Sequence, residues 1–468
     1  MSWSAGRVFA IVVLGTAPLA AQEKSGPPLA GNWLGRLKAG GAELRLVVKV
    51  LANPAGQLTG TADSPDQGAR DIALIDVTLA DGAVGFKMPA ANGAYSGRMS
   101  ADGLRIEGTW TQSGRTFPLT LERVESAPET PRRAQEPKPP YPYVEEEVSY
   151  PNAAAQIALA GTLTKPSGAG PFAALLLISG SGPQDRDSRV MGHPLYLVLA
   201  DQLTRAGIAV LRVDDRGVGR STGTFATATT EDFASDVMAG VEYLKTRKDV
   251  DPRRIGLYGH SEGGMIAPIV ASRSKDVAFA VLVAAPGLPL EQGLPRQAEL
   301  IDRANGTDEA VITRRVALQK KCLAVVKDEA DPVAAEQKIR ALIAAENDLG
   351  TGDQSAGWME KQIRMVLTPW FRYALTFDPR PVLKNVHCPV LAINGEKDTQ
   401  VPPENLAVIR AALEEGGNKN VRTVALPGLN HLLQTAQTGS PSEYGMLPET
   451  LAPAAFETIS AWIRAVLQ

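Results

Sequence analysis

The sequence predicts two globular units of different class. One is an α/β domain with a mostly parallel sheet and a helical cap insertion; the other, ahead of it, is a small all-β barrel or sandwich. Three observations carry this. Residues 28–124 alternate apolar and polar side chains with period two, residues 143–468 hold short runs that are apolar throughout with helical segments between them, and residues 125–142, rich in proline and charge, separate the two. At about 150 residues per domain, a chain of 468 has room for two or three such units.

Taken in order, residues 1–21 read as a signal peptide. Arg7 supplies a positive charge, Val8 to Ala17 an apolar stretch too short to span a bilayer, and Ala20 and Ala21 small residues for cleavage. The mature chain is then expected to begin near Gln22, in the periplasm or outside the cell. No later stretch is long and apolar enough for a transmembrane helix.

In the β unit, Leu44, Leu46, Val48 and Val50 share one face of a strand, and Glu43, Arg45 and Lys49 lie on the other. Leu104, Ile106 and Trp110 oppose Arg105, Glu107 and Thr109 in the same way. Asn53-Pro54-Ala55-Gly56, Asp81-Gly82, Asn92-Gly93, Asp102-Gly103 and Ser113-Gly114 are turn signals between such strands. Gly31-Asn32-Trp33 matches the short Gly-x-Trp signature of lipocalin-like barrels, with the tryptophan read as core. Residues 125–142 are expected to be an extended, semi-rigid linker.

Beyond it, Phe172–Gly180, Gly207–Asp215, Arg254–Ser261, Val277–Pro286 and Cys388–Asp398 are runs rich in Val, Ile and Leu. Strands that are apolar throughout and alternate with helices indicate a parallel sheet covered on both faces. Strands near Glu145–Tyr150 and Ile157–Leu163 are expected at an antiparallel edge. Between residues 288 and 378 the alternation gives way to helical spacing, expected to form a cap over a site.

Composition excludes several functions. Lys plus Arg number 48 and Asp plus Glu 51, a net charge of −3, so there is no electrostatic basis for binding nucleic acid. Two cysteines, Cys322 and Cys388, cannot build a disulfide framework or a Cys-based zinc site, and they read as partly buried thiols. The four histidines include no metal-binding pair, and no P-loop occurs. Neither a metal nor an organic cofactor is expected.

The chemistry concentrates at Gly259-His260-Ser261-Glu262-Gly263, between a predicted strand and a predicted helix. That context defines a nucleophile elbow: a sharp turn exposes the Ser261 hydroxyl, and small neighbours let the backbone pack closely. A serine hydroxyl needs a base, and the base needs an orienting acid. His431, late in the chain, and Asp398, directly after the strand Val390–Gly395, stand in the order Ser, Asp, His. Glu396 is the backup acid. The N–H groups of Glu262 and of Ser181, in the Gly-rich loop Ser179–Asp187, are the expected oxyanion donors. Trp358, Met365, Trp370, Phe371 and Tyr373 in the cap are candidates for lining the substrate site. Asp185, Arg186 and Asp187 read as a structural ion-pair network.

Residues 143–468 resemble the α/β-hydrolase superfamily, and more closely the secreted bacterial carboxylesterases of its serine-aminopeptidase-like branch. The resemblance rests on ISGSGPQDRD at Ile178, DDRGVGRSTG at Asp214, YGHSEGG at Tyr258, TPWFRYALTFDP at Thr368, NGEKDTQVP at Asn394 and GLNHLLQ at Gly428. It implies an α/β-hydrolase fold, with Ser261 as nucleophile, His431 as base, Asp398 as its orienter, and oxyanion donors at Ser181 and Glu262. Ser179 departs from the pattern, since many relatives carry His there. The expected activity is hydrolysis of a small or medium acyl or aryl ester through an acyl-enzyme. An aminopeptidase, amidase or acyltransferase using the same triad, or a non-catalytic binding protein, stays open. So does a homodimer.

Overall fold

The computed structural model describes residues 29–39, 42–65, 69–112, 115–126, 133–346 and 356–468; the expected export signal lies outside them. Eight antiparallel strands come first: β1 (Gly31–Ala39), β2 (Ala42–Ala52), β3 (Leu58–Ser64), β4 (Ala69–Ala80), β5 (Ala83–Met88), β6 (Gly93–Met99), β7 (Arg105–Gln112) and β8 (Arg115–Val124). Each pairs with the next, and β8 returns to β1 with Asn32 opposite Val124, so the sheet is a closed barrel and not a sandwich. Closure removes the unpaired edges that open sheets must protect. The inward faces fill the interior with Trp33, Phe86, Tyr95, Ile106, Trp110 and Leu121. Trp33 is fully buried, its Nε1–H donates to the Leu29 carbonyl at 2.9 Å, and the Arg123 guanidinium lies 4.4 Å from its ring centre. It is a core tryptophan.

The described end of the linker is anchored to the second domain. Arg133 donates to the carbonyls of Gly445 and Leu447, and the Gln135 side chain pairs with the backbone of Thr450 and Leu451. Over these residues the expected extended linker is docked on the second domain.

The second domain carries β9 (Tyr143–Asn152), β10 (Ile157–Pro166), β11 (Phe172–Ile178), the short hairpin β12 (Arg189–Val190) and β13 (His193–Pro194), then β14 (Ala209–Val213), β15 (Val250–His260), β16 (Val277–Val283), β17 (Val390–Gly395) and β18 (Val421–Leu426). The eight-stranded sheet has the order β18-β17-β16-β15-β11-β14-β10-β9. Its strands run parallel except for β10, which pairs antiparallel with both β14 and β9 and so makes the expected antiparallel edge. Alternate residues of one strand enter opposite layers: Leu176 and Ile178 face one, Leu175 and Leu177 the other. Both layers are apolar, which is why these strands read as unbroken apolar runs.

Helices α1 (Leu195–Arg205), α2 (Thr230–Thr246) and α3 (Gly263–Arg273) precede the cap. The cap comprises α4 (Leu290–Ala304), α5 (Glu309–Asp328), α6 (Pro332–Ala345), α7 (Ala356–Val366) and α8 (Pro369–Thr376); α9 (Pro379–Leu383), α10 (Asn405–Glu415) and α11 (Pro453–Val466) complete the fold. α2, α3 and α10 cover one face of the sheet, α1 and α11 the other. The cap keeps a small core of its own around Leu323, Ile339, Phe371 and Leu375. Among the described residues, no helix is long and apolar enough to cross a membrane.

Candidate active site

The turn from β15 into α3 holds Ser261 at φ +55°, a left-handed conformation that is uncommon for a residue with a side chain. Two backbone bonds fix it: Ser261 N–H to Val283 O and Gly264 N–H to Ser261 O, both 2.9 Å. The flanking glycines are required by contact. A Cβ on Gly259 would lie 2.0 Å from Gly263 O, and one on Gly263 would lie 2.2 Å from Ile178 O. Side chains are thus excluded two residues to either side of the serine, and its hydroxyl is left to the cavity above.

His431 and Asp398 meet as the sequence predicts. Asp398 follows β17 and is fully buried; its Oδ1 accepts the backbone N–H groups of Gln400 and Val401, each at 2.8 Å, and its Oδ2 lies 2.8 Å from His431 Nδ1. A carboxylate only accepts, so Nδ1 is the donor, and in the neutral ring the lone pair is then on Nε2. The loop bearing His431 is shaped by Asn430, whose Oδ1 accepts from the N–H groups of Leu432 and Gln434. His260 packs its ring 4.8 Å from that of His431 and donates Nε2–H to the His431 carbonyl at 2.9 Å. Burial, reinforced by the neighbouring His431, pushes its pKa down to about 3, so it is a neutral prop. Glu396 is exposed and has no part in this pair. His193 is buried against Thr450 and Tyr444, and His387 is exposed.

The Gly-rich loop lies against the elbow: a Cβ on Gly180 would be 3.3 Å from Ser261 Cβ. Ser179, the departure from the family pattern, donates its hydroxyl to Asp215 Oδ1 at 2.7 Å, while Gln184 N–H donates to Asp215 Oδ2 at 2.9 Å. Asp215 therefore clamps both ends of the loop; burial raises its pKa to about 7. Of the expected network of Asp185, Arg186 and Asp187, Arg186 pairs with Asp214 and Glu147 and Asp187 with Arg189 and Arg212, while Asp185 accepts the Asp187 backbone N–H.

Glu262 holds more than the sequence reading assigned to it. Its side chain is buried, and Oε1 accepts from Thr230 Oγ1 at 2.8 Å and from Trp370 Nε1 at 2.7 Å. Burial is the leading cause that raises its pKa; bonds from Trp370, Thr230 and Ser181 oppose it. One carboxyl thus joins the elbow to α2 and to the cap. Thr230 and Trp370 lie 32 and 108 residues away in sequence, so no local pattern could have shown this.

Ser261, Glu262 and His431 open onto a cavity of about 610 Å³ beneath the cap. Leu290, Gly293, Leu294 and Gln297 of α4 line it, as do Gln319, Cys322, Leu323 and Val326 of α5, at the three-four spacing of one helix face. Met365, Trp370 and Phe371 line it as expected. Tyr373 does not: it turns to the side of α8, donates to Glu231 Oε2 at 3.3 Å and stacks on Phe377. It stands beyond Trp370 around the helix, outside the stripe formed by Trp370, Phe371 and Ala374. The Trp358 side chain lies outside the described residues. Cys322 and Cys388 are free thiols. Among the described lining residues, Glu262 is the only carboxyl, and no Asp, Lys or Arg is present.

Residues 193–436 match the family described as serine aminopeptidase, S33. The chain is 29% identical over 287 residues to the esterase EstD of Thermotoga maritima. That match covers 61% of this chain and 61% of the relative, so the chain spans less than two thirds of its length. Among solved structures it is similar to an esterase of Pyrococcus furiosus, at 16% identity and a TM-score of 0.41 over 69% of this chain and 91% of that one. It is also similar to a hypothetical protein of Pseudomonas aeruginosa, at 15% identity and a TM-score of 0.46 over 73% and 99%.

Proposed function

We propose that this chain, which belongs to the serine aminopeptidase, S33, family, is a serine esterase cleaving uncharged carboxylic esters through Ser261, His431 and Asp398. The observation that carries the reading is the His431–Asp398 pair, in which Asp398 holds Nδ1 as the donor, so that the neutral ring offers Nε2 as the base, with His431 and Ser261 lining one cavity. Nε2 takes the Ser261 proton as Oγ adds to the ester carbonyl carbon. The oxyanion accepts from the N–H groups of Glu262 and Ser181, supported by the N-terminal end of α3. As the tetrahedral adduct collapses, the C–O bond to the alcohol breaks and the alcohol leaves with the proton from His431. Water, deprotonated by His431, then cleaves the acyl-enzyme by the same steps and returns the enzyme to its starting state.

The lining favours an ester over an aminopeptidase substrate. A free amino terminus needs an unengaged carboxylate, and the only carboxyl in the described lining already accepts from Thr230 and Trp370. The relative whose name reads esterase agrees with this choice. Residues 1–21 would send the activity outside the cytoplasm, which amino-terminal sequencing of the protein recovered from the periplasm or medium checks.

Hydrolysis of a p-nitrophenyl ester series, acetate to palmitate, beside p-nitroanilides tests the proposal, with Ser261→Ala in parallel. Ester turnover that Ser261→Ala abolishes supports it. Faster amide cleavage moves the reading to a peptidase or amidase, and equal activity in Ser261→Ala removes the nucleophile.

A further inference from the structure

Five glutamines line the cavity: Gln184, Gln297, Gln319, Gln362 and Gln400. Two are engaged by the protein. Gln184 bonds to Ser181 and Ser188, and Gln400 donates to Tyr444 Oη at 3.0 Å. The other three come from three different cap helices, α4, α5 and α7, and sit among leucine, valine and methionine. Their side chains make no hydrogen bond to any described group. Gln319 Oε1 is buried away from the cavity as well as from solvent, so a bound group meets this amide at its other polar atom. Turning that amide by half a turn only exchanges a stranded oxygen for a stranded NH₂.

The accessible atoms of these amides have no protein partner in apolar surroundings, and a bound group that both donates and accepts satisfies them in either amide orientation. A hydroxyl does both. A charged group does not fit, because no opposite charge faces it in the described lining. We propose that Gln297, Gln319 and Gln362 form a hydrogen-bonding subsite in the cap that takes an uncharged hydroxyl-bearing portion of the ester, distal to the scissile bond. This rests on the esterase reading above and deepens it. The leucine, valine and methionine side chains of the same lining accommodate the connecting carbons, so the preferred substrate is a hydroxylated acyl or alkyl ester.

The test uses matched pairs: p-nitrophenyl octanoate against 8-hydroxyoctanoate, which carries the hydroxyl on the acyl side, and octyl acetate against 8-hydroxyoctyl acetate, which carries it on the alcohol side. The readout is the ratio of kcat/KM within each pair, so loss of folded enzyme cancels. The subsite predicts that the wild type prefers the hydroxylated member of at least one pair by about tenfold, a single well-placed hydrogen bond. It also predicts that Gln319→Leu and the double variant Gln297→Leu/Gln319→Leu bring that ratio to one or below. A wild-type ratio at or below one in both pairs, or a ratio that both variants leave unchanged, overturns it. If the wild type cleaves no ester, the esterase reading fails by itself, and the subsite is read by calorimetry. Octanediol binding more tightly than octanol, with the difference lost in the double variant, supports it; equal binding overturns it.

Discussion

Gly293 gives the sharpest quantitative test of the cavity. It is the fourth residue of α4, in the first turn of the helix, on the stripe that faces the site, and a Cβ built there meets nothing within 4 Å. The backbone is helical, so no left-handed conformation requires glycine. Glycine inside a helix costs about 0.8–1.0 kcal/mol relative to alanine. Gly293 is in the first turn, so Gly293→Ala should stabilise the protein by up to about that amount. Gly293→Leu directs four side-chain carbons into space that four acyl carbons could otherwise occupy. At about 0.8 kcal/mol per buried methylene, displacing them costs up to about 3 kcal/mol, or roughly 200-fold in kcat/KM for long esters. Acetate, which reaches only the elbow, should lose little. The assay is kcat/KM for p-nitrophenyl acetate to decanoate in wild type, Gly293→Ala and Gly293→Leu, with thermal unfolding alongside. A parallel loss on acetate and decanoate, or an unchanged profile in Gly293→Leu, would show that α4 does not wall the acyl site and refute the reasoning.

Three further outcomes follow from the site. Asp398→Asn keeps an oxygen for the Gln400 and Val401 N–H groups but turns an amide toward His431 Nδ1; the ring then carries its proton on Nε2, and kcat should fall by about 10³–10⁴ with an unchanged circular dichroism spectrum. Gly259→Ala sets a Cβ 2.0 Å from Gly263 O, so the elbow must shift; chemical denaturation should show a loss of about 1–3 kcal/mol, with a drop in ester turnover larger than the loss of folded protein explains. Asp215 has a folded pKa of about 7, above its ordinary 3.8, so the native state holds an extra proton between those values. That contribution to stability is fully present below the window and is lost as pH rises through it. Unfolding midpoints measured from pH 5 to pH 8 should therefore fall more in wild type than in Asp215→Asn, which cannot titrate; equal slopes would remove Asp215 as the cause.

Much of the site was legible because its signals are local. The elbow needs small residues at fixed offsets, and the contacts at Gly259 and Gly263 show why. Asp398 and His431 each follow a strand, where an open α/β sheet presents loops to one edge, so chain order alone pointed to them. Period two announced the β unit and period-free apolar runs the parallel sheet, because each pattern follows from how many faces of a strand are buried. What the sequence left open depends on contacts between distant segments. Barrel or sandwich was decided by β8 pairing back onto β1, a closure set by register and not by composition. The linker has the composition of an extended, semi-rigid segment, and only the fold shows that Arg133 and Gln135 find carbonyl and N–H partners more than 300 residues away. Tyr373 and Trp370 are alike as sequence, and only the rotation of α8 sends one to Glu231 and the other to Glu262. Glu262 itself read as a backbone donor; its carboxyl became a tie between elbow, α2 and cap only once the fold brought Thr230 and Trp370 to it. Sequence by itself determined which groups could do the chemistry, since bond-making needs particular atoms at particular local turns. Tertiary structure decided what surrounds them, since a cavity's walls belong to no single stretch of chain.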